Sequence, residues 1–503
     1  MNAQLAYGSK EHTDAMPRQS LRRSGSQVRA TRLALALSAV LLSPLASSGS
    51  ESSARITTPR DAMFKIAQPH DPAGTPLTAI NCNDSGPGSL RDIITNVAQS
   101  GDTVILSQLP WSTSCGTPDG TADSIITLTT GEIVVTQNDL TLQGPYPGTL
   151  SANGSVTISG AGASRVFRHT GSGTLAIKSL TVADGYYHVA GNAYGGCIES
   201  DFGNISLNRT HVTGCTVLSD TGLASGGGVS AVVGDVTLIS SIVSGNQANA
   251  SSSSSYGGGV YSGGTMMAKY SSISSNAAHA TVATGFGGGV RAAGGATILA
   301  STIDGNFGTL GSGLDLLGTA IISNSTISYN VAVDAALIFE QTDSATITNS
   351  TIAFNHQSNI NAGEAVWFYG SSATSVLTLQ SSIIANNTAG VTNTPDDLYL
   401  SVGFGTLSAA GLNNLVIASN IPSPPPGVIT VTTDPMLGPL QLNGGWTRTH
   451  ELLPDSPALG VGNNNAMQPH DQRGDDYPRT TGGAVDIGAV QFDTIFADDF
   501  DFD

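Results

Sequence analysis

Positive charge is scarce in this chain and missing from one long stretch of it. No lysine or arginine occurs between Ala292 and Thr447, and the formal net charge is −18. A nucleic-acid groove needs clustered basic side chains, so nucleic acid is excluded as a partner, and other polyanions should be repelled. Charged residues make up only 11% of the chain. No segment after the N-terminal region approaches the roughly 18 consecutive apolar residues of a membrane-spanning helix, so no transmembrane span is expected. Cysteine is limited to Cys82, Cys115, Cys197 and Cys215. No CxxC or HxxxH spacing accompanies them, which argues against zinc. No carboxylate cluster recurs at a spacing that suits calcium. The nine histidines are scattered, and neither a Ser-His-Asp nor a Cys-His arrangement follows from their spacing. No metal or cofactor is expected.

A repeat is what the chain has in abundance. The pattern (Ser/Thr)-x-(Ile/Val)-x-x-(Asn/Cys) ends at Cys215, Asn246, Asn276, Asn306, Asn330, Asn355 and Asn387, in steps of 31, 30, 30, 24, 25 and 32 residues. Glycine elements precede it, as in Gly226-Gly227-Gly228-Val229, Gly257-Gly258-Gly259-Val260 and Gly287-Gly288-Gly289-Val290, with Gly311-Ser312-Gly313-Leu314 a degraded copy. Short β-branched pieces at such a period indicate a stacked solenoid. The fold class is therefore all-β, a right-handed parallel β-helix whose strands pair about 4.8 Å apart from coil to coil. The recurring Asn, with an amide that both donates and accepts, is expected to point inward and form a structural ladder through Cys215 and the six asparagines.

Residues 1–48 have the order of an export signal: Arg18, Arg22, Arg23, Arg29 and Arg32 precede the apolar run Leu33 to Leu42, followed by small residues. Export makes two disulfides the natural use of four cysteines. Of the three possible pairings, Cys82–Cys115 with Cys197–Cys215 is the expected one. Residues 49–76 read as a linker and 77–124 as an N-terminal cap. In the cap, Ser89 is an N-cap with Asp92 as its capping-box partner. Leu90, Ile93, Ile94, Val97 and Ala98 form the apolar stripe of an amphipathic helix. The β-helix is expected over 125–417, an irregular C-terminal cap over 418–492, and an acidic-aromatic tail over 493–503.

Both ends carry further signatures. The run Asn83-Asp84-Ser85-Gly86-Pro87-Gly88-Ser89-Leu90-Arg91-Asp92 is followed by Gly101-Asp102-Thr103. Near the other end stand Asp434-Pro435, Leu437-Gly438-Pro439-Leu440, Asn443-Gly444-Gly445, Leu453-Pro454-Asp455-Ser456-Pro457-Ala458, Asp471-Gln472-Arg473-Gly474 and Asp486-Ile487-Gly488-Ala489. These resemble the choice-of-anchor Q group of bacterial exported β-helix proteins. The repeats are more loosely similar to those of chlamydial polymorphic outer membrane proteins. The resemblance implies an exported, extracellular or cell-surface protein, adhesin-like, with no agreed biochemical activity.

Stacking predicts which side chains become neighbours. Counting 15 or 16 residues back from each ladder position gives Glu199, Ser230, Tyr261, Arg291, Asp315 and Glu340 along one outward face. Asp315 and Glu340 are candidates for the acid/nucleophile pair of a retaining glycosidase, whose carboxyl groups lie about 5–5.5 Å apart, with Arg291 holding one of them ionised. The alternative is an exposed charge ladder on a wet face. A uronate lyase fits less well, because the later coils offer no base to abstract a proton. Tyr261, Arg291 and Trp367 are candidates for binding polysaccharide or cell-surface glycan, with Tyr256, Tyr270, Phe368 and Tyr369 as further sugar-stacking rings. The expected function is non-enzymatic contact with glycans or cell surfaces. The runner-up is a carbohydrate-active enzyme, a glycoside hydrolase before a lyase.

Overall fold

The computed structural model describes residues 76–107, 109, 115, 124–145, 155–359, 365–480 and 482–492. The expected export signal, the linker up to residue 75 and the tail from residue 493 lie outside the described residues.

The coil that starts at Val229 shows the plan. Val229–Ala231 lies in what we call the second sheet, Val236–Ile239 in the first and Ile242–Ser244 in the third. Gln247–Ala250 and Ser255–Tyr256 return to the second sheet before Val260–Ser262 opens the next coil. Among the described residues, every pairing between named strands is parallel except Thr388–Ala389 with Thr394–Pro395. The chain is thus a right-handed parallel β-helix, the hand that parallel crossovers almost always take.

Residues alternate between faces along each strand, and the inward positions stack in register. One inward column of the second sheet runs Val229, Val260, Val290, Leu314, Leu337, Val366 and Leu398. All seven are fully buried. Each contributes about 1.5–3 kcal/mol relative to exposure, and one continuous apolar core runs from Ala79 to Val428.

The Asn ladder lines a corner of this core. Asn246 Nδ2 donates to Asn276 Oδ1 at 2.9 Å, and Asn276 donates to Asn306 at 3.0 Å. Asn306, Asn330 and Asn355 each donate to the next rung at 2.9 Å. Each of these amides also bonds a backbone carbonyl, as Asn306 does to Ile273 O at 3.0 Å. At the first rung the Cys215 N–H donates to Asn246 Oδ1. The last rung is a carboxylate: Asn387 Nδ2 donates to Asp397 Oδ1 at 2.8 Å. The glycine elements turn the chain beside the ladder. At Gly257, φ is +61° and a Cβ would stand 2.1 Å from Val260 O, so only glycine fits.

The longer coils carry an arm. In the coils from Tyr186 to Phe286, two short strands joined by a loop leave the main outline and return. Ala193, Val217, Ala224, Ala248 and Ala250 pack together there in a small core of their own. The next coil replaces the arm with the single strand Phe307–Leu317. Its register runs Ala277↔Phe307, Phe286↔Leu310 and Val290↔Leu314. Six residues between Ala277 and Phe286 therefore have no counterpart. That loss accounts for the fall from 30-residue to 24-residue steps.

Both disulfides form in the expected pairing, Cys82–Cys115 and Cys197–Cys215. Three expectations about the ends need correction. The coil stack begins at Pro76–Thr78 and not near residue 125, because that strand pairs with Asp102–Ile105, which pairs with Leu140–Gln143. The N-terminal helix is Leu90–Asp92 continued as a π-type turn over Ile93–Val97. Ser89 Oγ accepts from Asp92 N and Asp92 Oδ2 from Gly88 N, each at 3.1 Å, and Leu90, Ile93 and Ile94 are buried. Val97 is half exposed, because the wider π turn rotates it off the apolar face. Residues 434–492 do not cap the end. They run back along the outer face of the third sheet, whose side chains bond both their side chains and their backbone. Thr326 Oγ1 donates to Gln472 Oε1 at 2.6 Å, Ser328 Oγ bonds His450 Nε2 at 2.8 Å, and Ala489 N donates to Thr351 Oγ1 at 3.0 Å. The core itself is closed by Ile421 and Val428.

Candidate functional site

The outer face of the second sheet concentrates the chain's chemistry. One outward column runs Arg168, Glu199, Ser230, Tyr261, Arg291, Asp315, Ile338, Trp367 and Tyr399. Glu199, Ser230, Tyr261, Arg291 and Asp315 fall in the expected order. Glu340 does not follow Asp315. Ile338 takes that place, and Glu340 pairs with Leu317 on one side and Tyr369 on the other. The strands Phe307–Leu317 and Val331–Thr342 meet through two register shifts. A constant offset from the ladder therefore fails there.

Arg291 nevertheless joins the two acids. Its Nη1 donates to Asp315 Oδ2 in a close ion pair and to Glu340 Oε2 at 3.3 Å. The guanidinium lies over Tyr256 and Phe286, 4.9 and 4.8 Å from their ring centroids. Those two rings stack on each other at 5.3 Å. The Asp315 side chain is 0% exposed, Arg291 13% and Glu340 25%. Burial pushes the Asp315 carboxyl up to about 7, against the pull of Arg291. The expected exposed pair of carboxylates is therefore corrected. Asp315 is sealed beneath its neighbours, and a carboxyl with no accessible surface cannot attack a glycosidic bond.

A second charged cluster escaped the sequence reading. Arg165 is buried and bridges Glu132 at 2.6 Å and Glu199 at 2.7 Å. Its Nε donates to Gly195 O at 2.8 Å, and its guanidinium covers Tyr187 at 3.8 Å. Arg168 pairs with Asp201 at 2.9 Å. Burial raises the Glu199 carboxyl to about 7, with Arg165 opposing. The one available signal was that Glu199 stands in register with Arg168.

Beyond the trimmed coils the face becomes aromatic. Trp367 and Tyr399 are half-buried and meet edge to face at 6.2 Å. The indole Nε1 donates to Ser401 Oγ at 2.7 Å. Tyr369 stacks on the exposed Phe404 at 4.8 Å. Phe368, expected among the sugar-stacking rings, points inward against Phe339. Tyr270 sits at the corner between the first and third sheets beside Lys269, away from this face. Tyr261 is half-buried, 6.4 Å from Tyr256.

Among the described residues, no three His, Cys, Asp or Glu side chains group so as to hold a metal ion. No helix there is long and apolar enough to cross a membrane. No family model and no curated protein matches the chain. Among solved structures, a crystal structure titled pectate lyase Pel9A is similar to it, with 13% sequence identity and a TM-score of 0.47, over 84% of this chain and 97% of that one.

Proposed function

We propose that this protein is an exported, extracellular or cell-surface β-helix that contacts glycan chains through the outer face of its second sheet and leaves them chemically unchanged. The observation that carries this reading is the partly exposed aromatic cluster of Trp367, Tyr369, Tyr399 and Phe404. Rings of this kind offer an apolar face on which a sugar can stack. Two disulfides agree with life outside the reducing cytosol. Membership of the choice-of-anchor Q group, suggested by the terminal signatures, belongs to the same proposal.

A second reading, a glycoside hydrolase on this face, would take its general acid from Asp315 or, four rungs away, from Glu199. Both carboxyls are raised to about 7, a range that suits a general acid. Both are also buried and held by arginines, which favours the binding reading. Affinity electrophoresis through gels containing plant and bacterial polysaccharides separates a working face from an idle one. Trp367→Ala is expected to weaken retention by about 2 kcal/mol, roughly thirtyfold. Retention unchanged in both Trp367→Ala and Tyr399→Ala would remove the aromatic cluster from the proposal.

A further inference from the structure

We infer that this face takes uncharged polysaccharide and discriminates against uronate-rich chains; the inference rests on the reading of the face as a glycan contact surface. Lysine and arginine number ten between residues 76 and 492. Among the described residues, three of them approach the outer face of the second sheet: Arg165, Arg168 and Arg291. Arg91, in the N-terminal helix, reaches the start of the second sheet but is bonded to Asp84 and to the Gly131 and Glu132 carbonyls. Lys178 and Lys269 belong to strands of the first sheet, and Arg209 to the corner that follows that sheet. Arg448, Arg473 and Arg479 belong to the segment that covers the third sheet.

Each arginine of the face is committed to the protein's own carboxylates. Arg165 is held by Glu132 and Glu199, Arg168 by Asp201, and Arg291 by Asp315 and Glu340. Five acids thus surround three cations; even with Asp315 and Glu199 protonated, Glu132, Asp201 and Glu340 balance the three arginines, and the face carries no surplus positive charge. The aromatic cluster lies in coils with no Lys or Arg in their sequence. A uronate polymer brings a carboxylate with every sugar. Laying it on this face would desolvate those charges with no cation to compensate them, beside acids that repel them. An uncharged sugar meets none of these costs. Its C–H face can stack on Trp367 or Tyr399. Its hydroxyls can donate to Glu340, whose carboxylate is partly exposed and stands in register with Tyr369. The coils repeat about every 4.8 Å, close to the advance of one pyranose ring along an extended glycan, so a chain lying parallel to the solenoid axis would meet about one rung per sugar.

The test compares affinities of the full protein for a neutral set (mixed-linkage β-glucan, galactan, mannan) and a uronate set (polygalacturonate, alginate) at low ionic strength. The expected result is binding to at least one neutral polymer at least tenfold tighter than to either uronate polymer. Equal or tighter uronate binding overturns the inference while leaving the face as a glycan surface. Binding to neither set overturns the underlying reading instead. Val402→Arg places an untied cation on an exposed residue beside Ser401. It is expected to raise uronate affinity about tenfold at low salt, to lose that gain as salt screens the charge, and to leave neutral binding unchanged. A Val402→Arg protein whose uronate affinity does not move would refute the electrostatic basis of the discrimination.

Discussion

The coils from Tyr186 to Phe286 and those from Phe307 to Gln357 share three sheets and one ladder, yet they differ by a six-residue arm. In the armed coils the returning strands carry Tyr194, Tyr256 and Phe286 above the outward column. In the trimmed coils the strand runs straight on, and the column passes to Asp315, Ile338 and the aromatic cluster. Arg291 stands at the boundary, with two arm rings on one side and two acids of the trimmed coils on the other. Repeat length is therefore a statement about cross-section. The core and ladder are constant, and the residues added or removed change only what covers the second sheet.

The largest effect expected from this comparison comes from moving the deletion. Removing residues 280–285 from an armed coil should give the outline of the trimmed one, with the protein still folded and its β-sheet circular dichroism retained. Removing six residues at 237–242 cuts two sheets and should abolish folding. Next comes the element the two regions share. Asn306→Ala strips the acceptor from Asn276 N and Nδ2 and the donor from Ile273 O. It should cost about 4 kcal/mol in chemical denaturation, since each buried unsatisfied group costs about 1–3 kcal/mol.

At the boundary, Asp315→Ala leaves Arg291 without its buried partner and should destabilise by about 3–5 kcal/mol. Glu340→Ala removes a partly exposed partner and should cost less than about 1 kcal/mol. Within the armed region, replacing Cys197 and Cys215 together by Ser opens a loop with a sequence separation of 18. Chain-entropy arguments put that loss at about 3 kcal/mol. A further effect is in pH. Asp315 and Glu199 keep their protons up to about 7 in the folded state, whereas unfolded carboxyls release theirs near 4. Between those values the folded state binds more protons, so stability falls as pH rises from about 4 to 7. Asp315→Asn should flatten that slope in denaturation midpoints measured across the range.

How much of this was legible depended on how local the cause was. The ladder was readable because each coil needs one amide at the same corner, and Asn246 to Asn387 recur for that reason alone. The arm was present in the step lengths, but a change from 30 to 24 residues does not say which side of the coil shrinks. The register from Asp315 to Ile338 was not readable, since the shifts in Phe307–Leu317 arise where the arm ends. The burial of Asp315 was hidden too, because residues of other coils cover it. Arg165 with Glu132 and Glu199 joins three separate coils outside the repeat pattern. The return of 434–492 along the third sheet follows no periodicity, and the hydroxyls of Thr326, Ser328 and Thr351 that receive it look like ordinary strand residues.

The central claim is a face that holds glycan without cutting it. The direct measurement is to incubate the purified protein with the polysaccharides it retains and assay for new reducing ends and unsaturated products over a prolonged time course. Retention with no product above the blank is the predicted result. Steady release of reducing ends that disappears in Asp315→Asn or Glu340→Gln would contradict it and make the Arg291 cluster an active site.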